Sequence, residues 1–212
     1  MERFMNPVLE RDPVKPRIDF EPAAKNGEPK LFRWTASEYR KMAEFGFFEG
    51  KRVELVKGEI IEMSPMKSAH ATAVRLLVEL LGSVFGKGFV VDSQLPLSLG
   101  KINEPEPDIA VVEGSVRDFA IEHPKTATLI VEISDSTLRF DRKEKAELYA
   151  ENNIGEYWIL NLRERCLEVY RHPVKDKNAG FIYTEIFVVG EDRSVSPLAK
   201  PKAKIKVGDI LP

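Results

Sequence analysis

The 212-residue sequence predicts an α/β fold in which a mixed β-sheet is flanked by helices. Three observations carry that expectation. Short runs rich in β-branched and aromatic residues recur between Phe89 and Val189, separated by Gly, Pro and charged segments. The stretch Ser68 to Phe85 repeats apolar residues at helical spacing. With 43% hydrophobic and 31% charged residues, the chain has the apolar material for one ordinary domain core.

Taken in order, residues 1–30 hold Pro7, Pro13, Pro16, Pro22 and Pro29 among mixed charges, which prevents helix and disfavours central strands. They read as a proline-rich N-terminal arm, and residues 31–212 as the domain. Thr35-Ala36-Ser37-Glu38 has the form of a capping box, so a first helix runs from Ala36 to about Phe45, with Gly46 as its stop. Val53 to Met63 reads as a hairpin turning at Lys57-Gly58, where glycine suits a positive φ. In Ser68 to Phe85, the apolar residues Ala69, Ala73, Leu76, Leu77, Leu80 and Leu81 predict a core-packing helix. Three strands follow at Phe89 to Leu97, Asp108 to Val112 and Thr128 to Ser134. Asp141 to Asn152 is polar, with Ala146 and Tyr149 three apart, and predicts a helix stopped by Gly155. Glu156 to Leu160, Leu167 to Arg171 and Phe181 to Val189 complete the strands.

Bulk properties exclude several classes of function. The single Cys166 allows no internal disulfide, and there is no CxxC pair, so a reducing, cytoplasmic setting is the expectation. No continuous apolar run resembles a signal peptide or approaches membrane-spanning length, which predicts a soluble chain with no membrane role. A net charge of −2 is not that of a polycation made to coat nucleic acid. Any attraction for phosphate must therefore be local, from a groove or a bound cation.

Two strands contain an acid where the pattern calls for an apolar residue: Pro107-Asp108-Ile109-Ala110-Val111-Val112 and Leu129-Ile130-Val131-Glu132-Ile133-Ser134. An ionised carboxylate inside such a β-branched run is costly unless paired or metal-bound. Period two puts Ile130, Glu132 and Ser134 on one face. If the strands are adjacent, Asp108 and Glu132 can converge on a hard cation such as Mg²⁺ or Mn²⁺. Taken singly, Glu132 also reads as a salt-bridged core residue, and Asp108 as a turn residue after proline.

Further motifs accompany this pair: Asp141-Arg142-Lys143-Glu144-Lys145 with Tyr149, and Gly155-Glu156-Tyr157-Trp158-Ile159. Upstream stand Glu54-Leu55-Val56-Lys57-Gly58-Glu59-Ile60-Ile61, Met63-Ser64-Pro65 and His70. Together they resemble the Uma-two family of restriction-endonuclease-like proteins, within the PD-(D/E)XK nuclease superfamily, over roughly Leu31 to Val189. The resemblance implies a restriction-endonuclease-like fold and a metal-dependent endonuclease that hydrolyses DNA phosphodiester bonds. It implies Asp108 and Glu132 as metal ligands, Lys145 as the catalytic cation and Glu54 as support of the metal site. Ser134 occupies the place where the superfamily usually has its lysine, and Lys145, on the next helix, is the matching residue.

The chemistry needs these residue types because a phosphodiester hydrolase must activate water near neutral pH and offset charge on the phosphoryl oxygens. Helical spacing puts Lys145 on the same face as Tyr149 and away from Lys143. A bland alternative is an exposed Lys145 paired with Asp141. His70, in the first turn of its helix, reads as a water-positioning residue near the metal or as a satisfied structural histidine, while Tyr157 and Trp158 read as core. Lys200, Lys202, Lys204 and Lys206 alternate with smaller residues, so a strand there would present four ammonium groups, to phosphate or to protect a sheet edge. The rival to an enzyme is a silent module binding nucleic acid or protein on the same fold; Ser134 and the net charge favour it. A two-carboxylate glycosidase lacks support beyond the carboxylates themselves. A homodimer is expected, since C₂ pairs are the commonest oligomers and nucleases that cut both strands often pair two sites.

Overall fold

Thr35 begins the first helix as the sequence predicts: its hydroxyl accepts the Glu38 N–H, and the Glu38 carboxylate accepts the Thr35 N–H at 2.8 Å. The structure, a computed structural model, describes residues 29–212; the proline-rich arm expected over 1–30 lies, but for its last two residues, outside them. Helix α1 spans Ala36–Glu44 and Gly46 follows it with φ +79°. Strands β1 (Val53–Val56) and β2 (Glu59–Glu62) form the expected hairpin, Lys57 and Gly58 both having positive φ as a tight turn of this hand demands. Gly58 is also needed for space: a Cβ there would lie 2.7 Å from Arg33 Cβ. Gly58→Ala is therefore expected to cost about 1–2 kcal/mol for the left-handed backbone alone, and more for the clash. Urea denaturation of the variant measures it.

Helix α2 (Ser68–Phe85) buries Ala73, Leu77, Leu81 and Phe85, one stripe at helical spacing. By length and composition this helix could cross a membrane, contrary to the expectation that no segment approaches that length. Its buried stripe joins Leu129, Val131 and Ile133 in one core cluster.

The remaining strands are β3 (Phe89–Asp92), β4 (Ile109–Glu113), β5 (Leu129–Ser134), β6 (Glu156–Asn161), β7 (Cys166–Asp176) and β8 (Gly180–Gly190). They make one sheet in the order β3-β4-β5-β6-β7-β8, parallel only between β5 and β6. The crossover that a parallel pair requires is helical. It comprises α3 (Leu138–Phe140), a π-helical turn over Asp141–Lys145, and α4 (Ala146–Glu151). The sheet thus has a core on each face. Leu129, Val131 and Trp158 pack toward α2, while Ile130, Tyr157 and Ile159 pack with Leu148 and Tyr149 of α4. Tyr157 and Trp158 are fully buried, as expected.

Several expected boundaries shift. The first strand of the sheet stops at Asp92 rather than Leu97, because Gln94 turns the chain with φ +54° and Pro96 follows. The predicted crossover helix begins earlier and contains the π turn, and Asn153, with φ +57°, takes the left-handed position after it in place of Gly155. The run of alternating lysines is not a four-lysine strand. Lys200 and Ala203 sit in turns, and only Ile205–Lys206 (β10) pairs, with Ser194–Val195 (β9). Lys200 lies over the Phe89 ring at 4.9 Å.

Candidate active site

β4 and β5 run antiparallel with Ile109 opposite Val131, which puts Asp108 beside Glu132. Asp108 stands just before β4 because its N–H does not join the ladder; it donates to Glu132 Oε2 at 3.1 Å. In return, the N–H of Ile133 donates to Asp108 Oδ2 at 2.9 Å. Each carboxylate is thus held by a backbone N–H from the other side of the strand pair, Asp108 N–H for Glu132 and Ile133 N–H for Asp108, at the end of β5 that leads into the crossover helix.

The π turn brings up the cation. A π turn widens the helix by one residue per turn and is frequent at functional sites. Here it leaves both Asp141 and Lys145 buried on the inward side while Arg142 and Lys143 stay exposed. Lys145 is 1% exposed, its Nζ 2.7 Å from Glu54 Oε2 and 3.1 Å from Glu132 Oε1. The alternative of a solvated lysine paired with Asp141 is thereby overturned. Glu54, fully buried on β1, also accepts the Glu106 N–H on Oε2, and its Oε1 has no partner. Tyr149, one helical turn beyond Lys145, donates its hydroxyl to Glu132 Oε1 at 2.6 Å.

His70, in the first turn of α2, brings Nε2 to 2.9 Å from Asp108 Oδ1, which also accepts from Gln94 Nε2 at 3.2 Å. Ser134 is buried and 3.5 Å from the Thr137 hydroxyl, and it acts on Asp141 rather than on the Asp108–Glu132 pair. Thr137 donates to Asp141 at 2.6 Å. Asp141 and Gln94 belong to the surroundings of the site and were not expected there from the sequence. Asp141 lay inside the Asp141-Arg142-Lys143-Glu144-Lys145 motif, four residues before Lys145 and on its face, but spacing alone did not show that face to be buried; Gln94 carried no signal.

The electrostatics follow from burial and crowding. Burial pushes Glu132 up to about 7, against Lys145, with Asp108, Asp141 and Glu54 adding to the rise. Burial alone would also raise Asp108, but the His70 contact and the Ile133 and Gln94 hydrogen bonds outweigh it and hold Asp108 below the usual carboxylate range. Burial opposes charge on Lys145, yet Glu132 and Glu54 hold its pKa above that of an ordinary lysine. His70 is raised by Asp108 and Glu132 despite its burial.

Asp108, Glu132, Asp141, Lys145, His70 and Arg52 line one small cavity of about 100 Å³. A larger one, about 730 Å³, opens beside α1 and holds no carboxylate pair, its one acid, Glu122, being bonded to Lys125. Among the described residues, no three His, Cys, Asp or Glu side chains are arranged to hold a metal by themselves. A carboxylate offers about four lone pairs. Three donors fill each of these two, leaving one lone pair on Asp108 Oδ2 and one on Glu132 Oε2. That donor set fits a cation such as Mg²⁺, which takes one or two protein carboxylates and completes its octahedron with water and phosphate oxygens.

The model of the Uma2 family, described as "Putative restriction endonuclease", matches residues 36–207. No curated protein matches the chain. Among solved structures, the chain is similar to the crystal structure of "a putative nuclease belonging to DUF820" from Anabaena variabilis. The TM-score is 0.60 at 16% identity, covering 76% of this chain and 89% of that one, a likeness of fold.

Proposed function

We propose, on the premise that this chain belongs to the Uma2 family of restriction-endonuclease-like proteins, that it is an endonuclease hydrolysing DNA phosphodiester bonds with Mg²⁺ or Mn²⁺. The observation that carries the reading is the pairing of Asp108 with Glu132 on adjacent strands beside a fully buried Lys145. A divalent cation bound there would supply Lewis-acid charge and acidify water, which is what phosphodiester hydrolysis demands.

The chain's own residues have distinct parts. Asp108 and Glu132 would hold the cation, each through its remaining lone pair. Lys145 offers a positive charge at the cavity wall for the non-bridging phosphate oxygens. Glu54 and Tyr149 are positioning residues: one anchors Lys145, the other fixes the Glu132 carboxylate. His70 orients Asp108 and stands at the cavity where it could meet water or a phosphate oxygen. A C₂ homodimer would pair two such sites for cutting both strands.

A second reading is a binding module without turnover. It is favoured by Ser134 in the usual lysine position and by the sharing of the Lys145 charge between two carboxylates. Incubation of plasmid and single-stranded DNA with the protein in Mg²⁺, Mn²⁺ or EDTA separates the two. The enzyme is expected to nick or linearise plasmid only with metal. Intact DNA in every condition would leave the binding module.

A further inference from the structure

A third cavity, of about 470 Å³, adjoins the carboxylate cavity: Ser136 and Thr137 line both. Its other walls are Arg139, Phe140, Lys143 and Glu144, from the first turns of the crossover helix. Arg139 and Lys143 are exposed, four residues apart, on one wall.

Charge pairing distinguishes these two residues from the other cations nearby. Of the Lys and Arg residues lining the two cavities, Arg52 faces Glu106, Lys67 pairs with Asp135, and Lys145 is held by Glu54 and Glu132. Of these five lining cations, Arg139 and Lys143 are the two for which no acidic partner is found among the described residues. The one acid on their wall, Glu144, is engaged by Lys57 at 3.4 Å. Such cations, left solvated beside an open trough, are available to an anion at no cost in broken ion pairs. The half-buried Phe140 ring gives the same trough an apolar side. A chain of net charge −2 that binds nucleic acid must concentrate its attraction in a place of this kind.

We propose that this trough is the arm along which the cut DNA strand leaves the carboxylates, Arg139 and Lys143 each neutralising one phosphate that flanks the scissile one. The inference rests on the nuclease reading above. It adds a direction: the strand passes over Ser136 and Thr137 toward the crossover helix.

Anisotropy titration of a fluorescent DNA duplex, in EDTA so that nothing is cut, tests it across 50–200 mM salt. Three proteins are compared: the wild type, R139A/K143A, and the control K87A/R117A. Lys87 and Arg117 are exposed at the other end of β4, where Phe89 pairs with Glu113, and so lie away from Asp108. The slope of log affinity against log salt is expected to fall by about 1.8 in R139A/K143A, 0.9 for each phosphate, and to stay at the wild-type value in the control. Should the alanine pair melt early, R139Q/K143Q reads the same slope. Equal slopes and affinities in the two double variants overturn the arm and leave the nuclease reading standing. A wild type that neither binds DNA in EDTA nor cuts it with Mn²⁺ removes both.

Discussion

Lys145→Met is expected to lower the unfolding free energy by about 3–5 kcal/mol, because it leaves a buried carboxylate uncompensated. Glu54 is fully buried, and without Lys145 only the Glu106 N–H would face it, its Oε1 already having no partner. Glu132 would lose the same cation while keeping Tyr149 and the Asp108 N–H. On a domain of ordinary stability, about 5–15 kcal/mol, the loss is a large share of the whole. Removing both charges of the tighter pair is a different matter. Glu54→Leu combined with Lys145→Met is expected to recover most of the stability, since apolar replacement of an entire buried ion pair is often neutral or stabilising. Urea denaturation of the two single variants and the double closes the cycle. A Lys145→Met loss below about 1 kcal/mol would show that the ion pair is not the anchor described here.

The sequence made the apolar periodicities legible, and through them most of the fold. Helix Ser68–Phe85 and the Lys57-Gly58 hairpin are found where they are expected, because an 18-residue stripe and a two-residue turn each admit one solution. The site was legible in part. Asp108 and Glu132 are acids in strands whose pattern calls for apolar residues, and the antiparallel pairing of β4 with β5 brings them together. Local pattern could not reveal the π turn. It alters no composition or period, and the four-residue spacing that puts Asp141, Lys145 and Tyr149 on one face does not tell that this face is buried or that Lys145 sits between two carboxylates. The extent of β7 was hidden for a similar reason. Pro173 argues against a strand, but with His172 in a left-handed conformation the pairing resumes opposite Tyr183. Nor does any sequence period mark Arg139 and Lys143, which are set apart by lining the trough beside the carboxylates without an acidic partner there.

Glu132→Gln is expected to abolish cleavage and metal-dependent stabilisation while leaving the metal-free fold nearly as stable as the wild type. The amide keeps the shape of the side chain, and its oxygen can still accept from Tyr149 and Lys145. Lys145 is not stranded, because Glu54 holds it at 2.7 Å. The bond from the Asp108 N–H is lost if the amide nitrogen takes the Oε2 position, at a cost of about 1 kcal/mol. Against that loss stands relief of the crowding by Asp108, Asp141 and Glu54, which, together with burial, pushes the Glu132 carboxyl up to about 7. The two effects oppose each other and are of similar size. With metal the variants part company. A cation at about 100 times its Kd stabilises a folded protein by about 2.7 kcal/mol, and a site reduced to Asp108 forfeits that gain. Cleavage is expected to fall by at least about 10²–10³-fold, the scale set by losing one preorganised electrostatic group. Thermal melts of wild type and variant, each with and without Mn²⁺, read both arms at once. Should Glu132→Gln lose about 3–5 kcal/mol whether or not Mn²⁺ is present, and keep the Mn²⁺-induced shift, Glu132 is a member of a structural ion-pair network. In that case Lys145 and Glu132 would form the indispensable pair, and the near-neutral metal-free melt expected here distinguishes the two arrangements without reference to any substrate.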